Sequence, residues 1–224
     1  MEPVVLLFEV VLPSITATIN WLKQNLKFRS GAKPEDVIMV SGDLGSSTAG
    51  LNLFLKNIDG FDDVKRKHIE PEAKFYKVKP FLKYINAMID VSDGLASEVT
   101  RICEQSKTGA IIYADSVPIK PITQKAAQAC HKNALDFALY GGEDFELAYT
   151  VSEENMDKVK GIVVGKITKK SSENIKRWER RNDIRAWVRS LLNQCIKFFI
   201  FQDYNDKNRR NSCFIFVTVK SKFL

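Results

Sequence analysis

The stretch Ala87-Met-Ile-Asp-Val-Ser-Asp-Gly-Leu95 joins an apolar, strand-like run directly to the start of an amphipathic helix. Residues 87–91 predict a buried strand, and Ser92 is the expected N-cap of the helix that follows. The apolar face of this helix consists of Leu95, Val99, Ile102 and Cys103. Gly109 is expected to end the helix, because glycine commonly follows the last helical turn. A strand that leads straight into a helix is typical of layered folds that combine both elements.

Asp90 and Asp93 bracket Ser92 in this junction, and two interpretations of them remain open. The first is helix capping, because the helix dipole stabilises a carboxylate at its N-terminus by ~0.3–1 kcal/mol. The second is a magnesium–phosphate site, because Mg²⁺ prefers hard oxygen ligands and takes one or two carboxylates together with phosphate oxygens. Two aspartates three residues apart, followed by Gly94, exceed what a cap requires.

Two further junctions combine glycines with acidic residues beside a predicted strand. Residues 37–40 predict a short buried strand that runs into Gly42-Asp-Leu-Gly45 and a helix over about residues 47–58. Gly141-Gly-Glu-Asp144 precedes an alternating strand at residues 145–151. Each junction could be no more than a turn with a cap. Each could also contact a phosphate, a cation or a polar substrate, because ligands bind at strand ends in such sheets.

Strands and helices alternate along the first three quarters of the chain. Strands are also predicted at residues 14–19, 110–114 and 162–165. One helix is expected over residues 122–139, and residues 59–80 are expected to form a charged loop with at most one helical turn. The predicted fold class is therefore α+β, with helices layered on a mixed sheet.

Composition excludes several classes of protein. The 224 residues are 45% apolar and 27% charged, which rules out a disordered, collagen-like or disulfide-stabilised miniature protein. No apolar run reaches the ~20 residues of a membrane helix, and the apolar start lacks the basic region of a signal peptide. The four cysteines form no CxxC pair, which argues against a zinc site and favours reduced thiols in a cytoplasmic protein.

The net charge of +7 is unevenly distributed. Residues 169–224 hold 14 Lys and Arg against five Asp and Glu, whereas the first 168 residues are slightly acidic. The arginines of this tail could contact phosphates while Trp178 and Trp187 stack on bases. A solvated tail without structure is the simpler interpretation. We therefore do not expect nucleic acid to be the main partner.

Three segments, taken in order, resemble thiamine-monophosphate kinase, a family of the aminoimidazole ribonucleotide synthetase-like superfamily. They are Arg29-Ser-Gly-Ala-Lys-Pro-Glu-Asp-Val-Ile-Met-Val-Ser-Gly-Asp-Leu-Gly45, Ala87-Met-Ile-Asp-Val-Ser-Asp-Gly-Leu95 and Tyr140-Gly-Gly-Glu-Asp-Phe-Glu-Leu147. The resemblance covers about residues 14–168. It implies the C-terminal domain of a two-domain fold. It also implies ATP- and Mg²⁺-dependent phosphorylation of thiamine monophosphate to thiamine diphosphate by direct in-line transfer.

The resemblance further implies roles for individual residues. The Mg²⁺ ligands would be Asp90 and Asp93. The ATP contacts would be Arg29, which has forked donors for phosphate, and Ser92, with Asp43 near the phosphates. Glu143 would hold the cationic thiamine moiety. No catalytic nucleophile is implied, in agreement with a sequence that shows no serine, cysteine or lysine nucleophile arrangement.

The chain departs from the family pattern at both ends. Family members are longer and begin with a separate domain, which carries a Gly-Asp-Asp motif for further Mg²⁺ ions and forms the homodimer. Asp62-Asp63 lies in a predicted loop and does not replace that motif, and no C-terminal Gly-aromatic segment is visible. Three regions are expected. They are the end of a missing N-terminal domain (residues 1–27), the synthetase-like C-terminal domain (28–168) and a basic, aromatic tail without a family match (169–224).

These departures leave the activity of the chain open. The first expectation is a partial kinase with weak or no activity alone, because positioning can contribute ~7–11 kcal/mol to lowering a reaction barrier. Alternatives are a non-catalytic nucleotide-binding remnant, or a protein that binds nucleic acid or another acidic surface through its basic tail. The small-molecule substrates expected for the first are ATP and thiamine monophosphate.

Overall fold

The computed structural model describes residues 26–169 and the backbone of a short strand at residues 215–218. The predicted strand at residues 14–19 and the basic stretch 176–189 lie outside the described residues. Within the described ranges, no helix has the length and apolar character needed to cross a bilayer.

A six-stranded sheet organises the described residues, and its strands follow the spatial order β2-β4-β1-β5-β3-β6. The strands are β1 (Val37–Val40), β2 (Ile85–Asp90), β3 (Thr108–Tyr113), β4 (Leu147–Val151), β5 (Ile162–Lys169) and β6 (Ile215–Thr218). Neighbours are antiparallel except β3 and β6, which run parallel. The predicted α+β class with a mixed sheet is confirmed.

Helices cover the sheet and fill the connections between strands. The α-helices are α1 (Ser46–Leu55), α2 (Asp62–Ile69), α3 (Phe75–Val78), α4 (Leu95–Ser106), α5 (Pro121–Ala129) and α6 (Ala134–Tyr140). Short 3₁₀ helices span Lys79–Tyr84, Ala114–Ser116 and Glu153–Lys158.

The helix predicted over residues 122–139 is in fact two helices, α5 and α6. The chain turns between them at His131, which has a left-handed φ of 53°. The Asn133 side chain then accepts a hydrogen bond from the Leu135 N–H (2.9 Å) and caps α6. The apolar pattern continues across this turn, and for that reason it does not mark the break.

Two other expectations about helices were wrong. Helix α4 ends at Ser106, its C-cap residue Lys107 takes the left-handed conformation (φ 58°), and Gly109 lies inside β3. The expected loop at residues 59–80 contains α2 and α3. Asp62 and Asp63 form the first turn of α2, where carboxylates complement the helix dipole.

Apolar residues are buried on both faces of the sheet. Ile38 and Val40 of β1 belong to a cluster that includes the apolar face of α4. Val37 and Met39 point to the opposite face and belong to a second cluster with Tyr149. Successive side chains of a strand alternate between faces, so a strand covered on both sides is apolar throughout. A third cluster forms between helices α1, α2, α5 and α6.

The sheet topology brings three chain junctions to one edge. Strand β4 runs antiparallel to both β1 and β2, with Val40 opposite Ala148 and Asp90 opposite Leu147. The C-terminal ends of β1 and β2 therefore lie beside the N-terminal end of β4. The turns that leave β1 and β2 and the loop that enters β4 meet at this edge.

Candidate functional site

The Gly141–Asp144 loop lies directly against the Asp90–Gly94 turn. The N–H of Glu143 donates to the carbonyl of Ser92 (2.9 Å), and the N–H of Phe145 donates to the carbonyl of Val91 (3.0 Å). A Cβ on Gly142 would overlap the Ser92 carbonyl oxygen. The two segments, about 50 residues apart in sequence, therefore form one surface that requires glycine at residue 142.

Asp144 ties this surface to the turn after β1. Its carboxylate accepts hydrogen bonds from the backbone N–H groups of Gly45 (2.6 Å) and Ser47 (3.0 Å) at the start of α1. Thr48 adds a hydrogen bond from its hydroxyl to the carbonyl of Gly142 (3.2 Å). Asp144 of the Gly141–Asp144 loop thus caps α1, a helix distant in sequence.

The environment of Asp144 changes its protonation. Burial, the largest cause, raises the pKa of its carboxyl to about 6, and the nearby carboxylates of Asp43 and Glu146 act in the same direction. The two backbone N–H donors oppose this rise because they stabilise the charged form. The pKa of the Asp144 carboxyl therefore lies above that of an ordinary aspartate.

Glu146, at the same edge, is more deeply buried than Asp144, and its relative exposure is only 4%. Lys77 donates to both of its carboxylate oxygens (2.8 and 3.0 Å) and to the carbonyl of Ser41 (3.2 Å). The Ser41 hydroxyl donates to Glu146 (2.5 Å) and accepts from the Leu147 N–H (2.8 Å). This network connects α3 to the ends of β1 and β4.

Asp90, Asp93 and Glu143 are exposed at the same edge. The carboxylate of Asp93 forms an ion pair with Arg101 of α4. Arg101 also contacts the buried Glu98 (2.6 Å). The exposed acids thus differ from Asp144 and Glu146, which are enclosed by the fold.

The Asp90–Gly94 turn leads into α4 without a side-chain cap from its N-cap residue, which is Gly94. The side chain of Glu98, in the helix itself, accepts a hydrogen bond from the Asp93 N–H (3.1 Å). The expectation that Ser92 is the N-cap was wrong, because Gly94 holds that position and the Ser92 hydroxyl donates to Glu98 (3.4 Å). Asp93 forms an ion pair with Arg101 through its side chain. None of Asp90, Ser92 and Asp93 is therefore the N-cap residue of α4.

Arg29 lies at the other side of Asp90. The two residues line a cleft of about 600 Å³, together with Ser30 and Gln105 among others. The carbonyl of Phe28 accepts a hydrogen bond from Met88 of β2 (2.9 Å) and holds the segment before β1 along this edge strand. A cation and a carboxylate thus face one cleft, as a site for a phosphate and its metal requires.

Asp43 is placed differently from the other predicted site residues. It forms an ion pair with Lys120 (3.0 Å) and accepts a hydrogen bond from the Ser46 hydroxyl (3.4 Å). It lies close enough to Asp144 to raise the pKa of that carboxyl. Asp43 therefore belongs to the Asp144 side of the site.

The residues present fit a cation that keeps most of its own ligands. Within the described residues, no three or more His, Cys, Asp or Glu side chains are grouped to hold a metal ion. Asp90 and Asp93 offer exposed hard oxygen donors. Mg²⁺ commonly binds through one or two carboxylates, with waters and phosphates supplying the rest.

Sequence reasoning missed the residues that support the site. Lys77 and Arg101 carried no signal, because each meets its carboxylate partner only through the fold. Glu98 lies four residues after Gly94, where an acidic residue favours the start of a helix. No other feature of the sequence indicated a role for Glu98. The Nδ1 of His68 lies 3.0 Å from the Ser47 hydroxyl, a contact between α2 and α1 that the sequence did not indicate.

Comparison with known proteins defines the family. The family model described as AIR synthase related protein, C-terminal domain, matches residues 33–175. This match covers more than half of the chain, and the chain belongs to this family.

Curated relatives narrow the similarity to thiamine-monophosphate kinases. The chain is 38% identical over 156 residues to such a kinase from Buchnera aphidicola subsp. Acyrthosiphon pisum, covering 66% of this chain and 48% of the relative. It is 38% identical over 140 residues to the Bacillus subtilis kinase, covering 59% of this chain and 42% of the relative. The chain spans about half the length of the curated relatives it matches.

Solved structures agree with this similarity. The thiamine monophosphate kinase from Aquifex aeolicus superimposes with a TM-score of 0.59 at 30% identity, over 64% of this chain and 50% of that chain. A structure of AaThiL complexed with AMPPCP and TMP gives a TM-score of 0.58 at 30% identity, over 63% and 47% of the two chains. The resemblance of the three sequence segments to thiamine-monophosphate kinase is confirmed.

Proposed function

We propose that this chain supplies the C-terminal-domain part of a thiamine-monophosphate kinase, which transfers the terminal phosphoryl group of ATP to thiamine monophosphate. The relatives named above carry this activity in their names. A related structure was solved with AMPPCP, a non-hydrolysable analogue of ATP, and with TMP. Because the chain spans about half of those relatives, the proposed reaction belongs to the complete enzyme.

The observation that carries this proposal is the contact between the Gly141–Asp144 loop and the Asp90–Gly94 turn. The hydrogen bond from the Glu143 N–H to the Ser92 carbonyl (2.9 Å) supports the proposal, because it joins the loop of the acid proposed for the thiamine cation to the turn of the proposed metal ligands. Phosphoryl transfer depends on positioning both substrates around a cation more than on covalent chemistry. A rigid connection between these two segments serves that requirement.

Each proposed residue has a physical role in this reaction. Asp90 and Asp93 would hold Mg²⁺, which neutralises charge on the phosphates when it is bound. The Ser92 hydroxyl and the Arg29 guanidinium would contact ATP, with Arg29 reaching phosphate from its side of the cleft. Glu143 would attract the thiamine cation, and Asp43 would lie near the phosphates. No residue of the chain needs to act as a nucleophile.

A phosphotransfer assay tests the proposal. Purified chain receives ATP, Mg²⁺ and thiamine monophosphate, and thiamine diphosphate is detected by mass spectrometry. Nucleotide binding is followed in parallel by calorimetry with Mg²⁺ and AMPPCP. We expect Mg²⁺-dependent binding that Asp93→Asn abolishes, with little or no turnover by this chain alone.

Complementation then tests the partial-enzyme proposal. The N-terminal half of the Bacillus subtilis relative, added as a separate chain, should raise turnover above that of either chain. Asp93→Asn should remove the gain. Binding of AMPPCP that is unaffected by Mg²⁺ and by Asp93→Asn would refute the metal assignment. Mg²⁺-dependent binding without turnover in any combination would favour a nucleotide-binding remnant.

A further inference from the structure

Glu98 is a fully buried carboxylate beneath the Asp90–Gly94 turn. Its Oε1 accepts hydrogen bonds from Arg101 Nη1 (2.6 Å), the Asp93 N–H (3.1 Å) and the Ser92 hydroxyl (3.4 Å). Its Oε2 has no hydrogen-bond partner in the part of the chain that the structure describes. One oxygen therefore holds the turn while the other is buried without a partner.

The ion pair with Arg101 compensates the charge of Glu98, but the hydrogen bonds to the turn do not by themselves require that charge. The amide oxygen of a glutamine could accept the same hydrogen bonds without placing a charge in the interior. Burying a carboxylate is costly, and an oxygen without a partner adds to the cost. Buried polar groups left unsatisfied in a folded protein call for an explanation, and a functional role is one of the recurrent ones.

Arg101 connects Glu98 to the proposed metal ligand. One guanidinium nitrogen contacts Glu98 and another pairs with the carboxylate of Asp93. Glu98 thus contacts the Asp93 backbone directly and reaches its side chain through Arg101. Negative, positive and negative charges follow one another from Glu98 through Arg101 to Asp93. Asp93 is the exposed carboxylate of the three groups and is accessible to a cation.

We propose that Glu98 is a positioning residue for the cation and the phosphates at the Asp90–Gly94 turn. It fixes the Ser92 hydroxyl and the Asp93 backbone, and its negative charge favours a cation at Asp93. Carboxylates behind a metal ligand commonly act in this way. The identity of the bound cation and phosphates rests on the proposed function. The hydrogen bonds from the Asp90–Gly94 turn to Glu98 do not depend on any bound group.

Calorimetry on the full chain tests the effect on binding. Mn²⁺ is titrated in the presence of AMPPCP into the wild type, Glu98→Gln, Glu98→Asp and Glu104→Gln. Glu104 is an exposed acid of the same helix and serves as a matched control for charge. Glu98→Gln should weaken Mn²⁺ binding roughly 10- to 100-fold, Glu98→Asp should recover part of it, and Glu104→Gln should leave it unchanged.

Thermal unfolding separates positioning from structural support. The Tm of Glu98→Gln should stay within about 4 °C of the wild type, because a buried charge is removed along with its ion pair. Wild-type Mn²⁺ affinity in Glu98→Gln overturns the proposal. So does a loss of affinity accompanied by a large fall in Tm that Glu98→Asp shares, because that pattern describes a structural residue only.

Amide hydrogen exchange of the metal-free chain tests the hold on the turn independently. Glu98→Gln should accelerate exchange at the Asp93 amide, because a neutral acceptor binds that N–H more weakly, and Glu104→Gln should not. Unchanged exchange at Asp93 overturns the positioning role. If the wild type fails to bind Mn²⁺ and AMPPCP while exchange still responds to Glu98, the proposed function fails and the hold on the turn stands.

Discussion

Two groups of acidic residues meet at the same edge of the sheet, and their surroundings are opposite. The enclosed acids, the half-buried Asp144 and the buried Glu146, are satisfied by backbone N–H groups or by Lys77. The exposed acids, Asp90, Asp93 and Glu143, point to solvent, and only Asp93 of these three has a side-chain ion pair among those found in the described residues. The enclosed acids join segments of the chain, whereas the exposed acids are available to bind.

This difference shows how neighbouring carboxylates can serve different purposes, one stabilising the fold and the other remaining free to bind a ligand. Glu143 and Asp144 are adjacent, yet Asp144 caps α1 and Glu143 extends outward from the loop. A carboxylate that binds a cation must stay accessible, and one that holds a loop must be enclosed. Placing both in one loop lets the enclosed residue fix the position of the accessible one.

The largest effect on stability is expected from Lys77→Met. The substitution leaves Glu146, which is 4% exposed, without its cation. Removing one partner of a buried ion pair costs about 3 kcal/mol or more, which lowers the Tm by roughly 6–12 °C in a chain of this size. Thermal unfolding followed by circular dichroism measures the change. The double variant Lys77→Met/Glu146→Gln should recover part of the loss, and no recovery would contradict the pairing.

Gly142→Ala should have the next largest effect, because it separates the Gly141–Asp144 loop from the Asp90–Gly94 turn. The new Cβ would overlap the Ser92 carbonyl oxygen, and overpacking of this kind costs about 2 kcal/mol. The Tm should fall by roughly 4–8 °C. Gly60→Ala is a control for backbone strain without overlap, because its Cβ would meet no atom within 4 Å while its φ of 78° is one that alanine rarely adopts. An equal, small loss in both variants would mean that the loop and the turn are not in close contact.

Asp144→Asn should change the pH dependence of stability. The pKa of Asp144 is about 6, above its ordinary value of 3.8, so the folded chain holds a proton that the unfolded chain has released. This contribution is fully present at low pH and is lost as the pH rises through about 6. The Tm of the wild type minus the Tm of Asp144→Asn should therefore be larger at pH 4.5 than at pH 7.

The adjacent variant Glu143→Gln is the control for this pH profile. It removes a carboxylate from the same loop, but an exposed one. The Tm of Glu143→Gln should change with pH in the same way as the Tm of the wild type across this range. A parallel profile for Asp144→Asn as well would show that Asp144 titrates as an ordinary aspartate.

The smallest effect on stability is expected from Asp93→Asn, although we propose that this variant loses Mg²⁺-dependent nucleotide binding. The side chain of Asp93 is 56% exposed, and exposed ion pairs contribute about 0–1 kcal/mol. The Tm should stay within roughly 3 °C of the wild type. A large fall in Tm would show that Asp93 supports the fold as Asp144 and Glu146 do. The contrast between enclosed and exposed acids would then not hold.

Local sequence patterns predicted much of the fold, and the errors have identifiable causes. Strand β1 and the strand before Ser92 were found because their apolar runs are short and end in polar turns. The break between α5 and α6, at the left-handed His131, was missed because the apolar pattern was given more weight than Asn133, a preferred N-cap residue that marks the start of α6. Helix α2 was missed because only one of its residues, Val64, is buried, and its apolar pattern is therefore weak.

The sequence by itself determined the chemistry available at this edge: the apolar strands, the glycines of the turns, and the acids between them. It also contained the three segments that resemble thiamine-monophosphate kinase. Only the tertiary structure decided which acids are enclosed and which are exposed, because Lys77, Arg101 and the N–H groups of α1 reach their carboxylates across the fold. Burial and pairing are properties of contacts distant in sequence, and local patterns do not encode them.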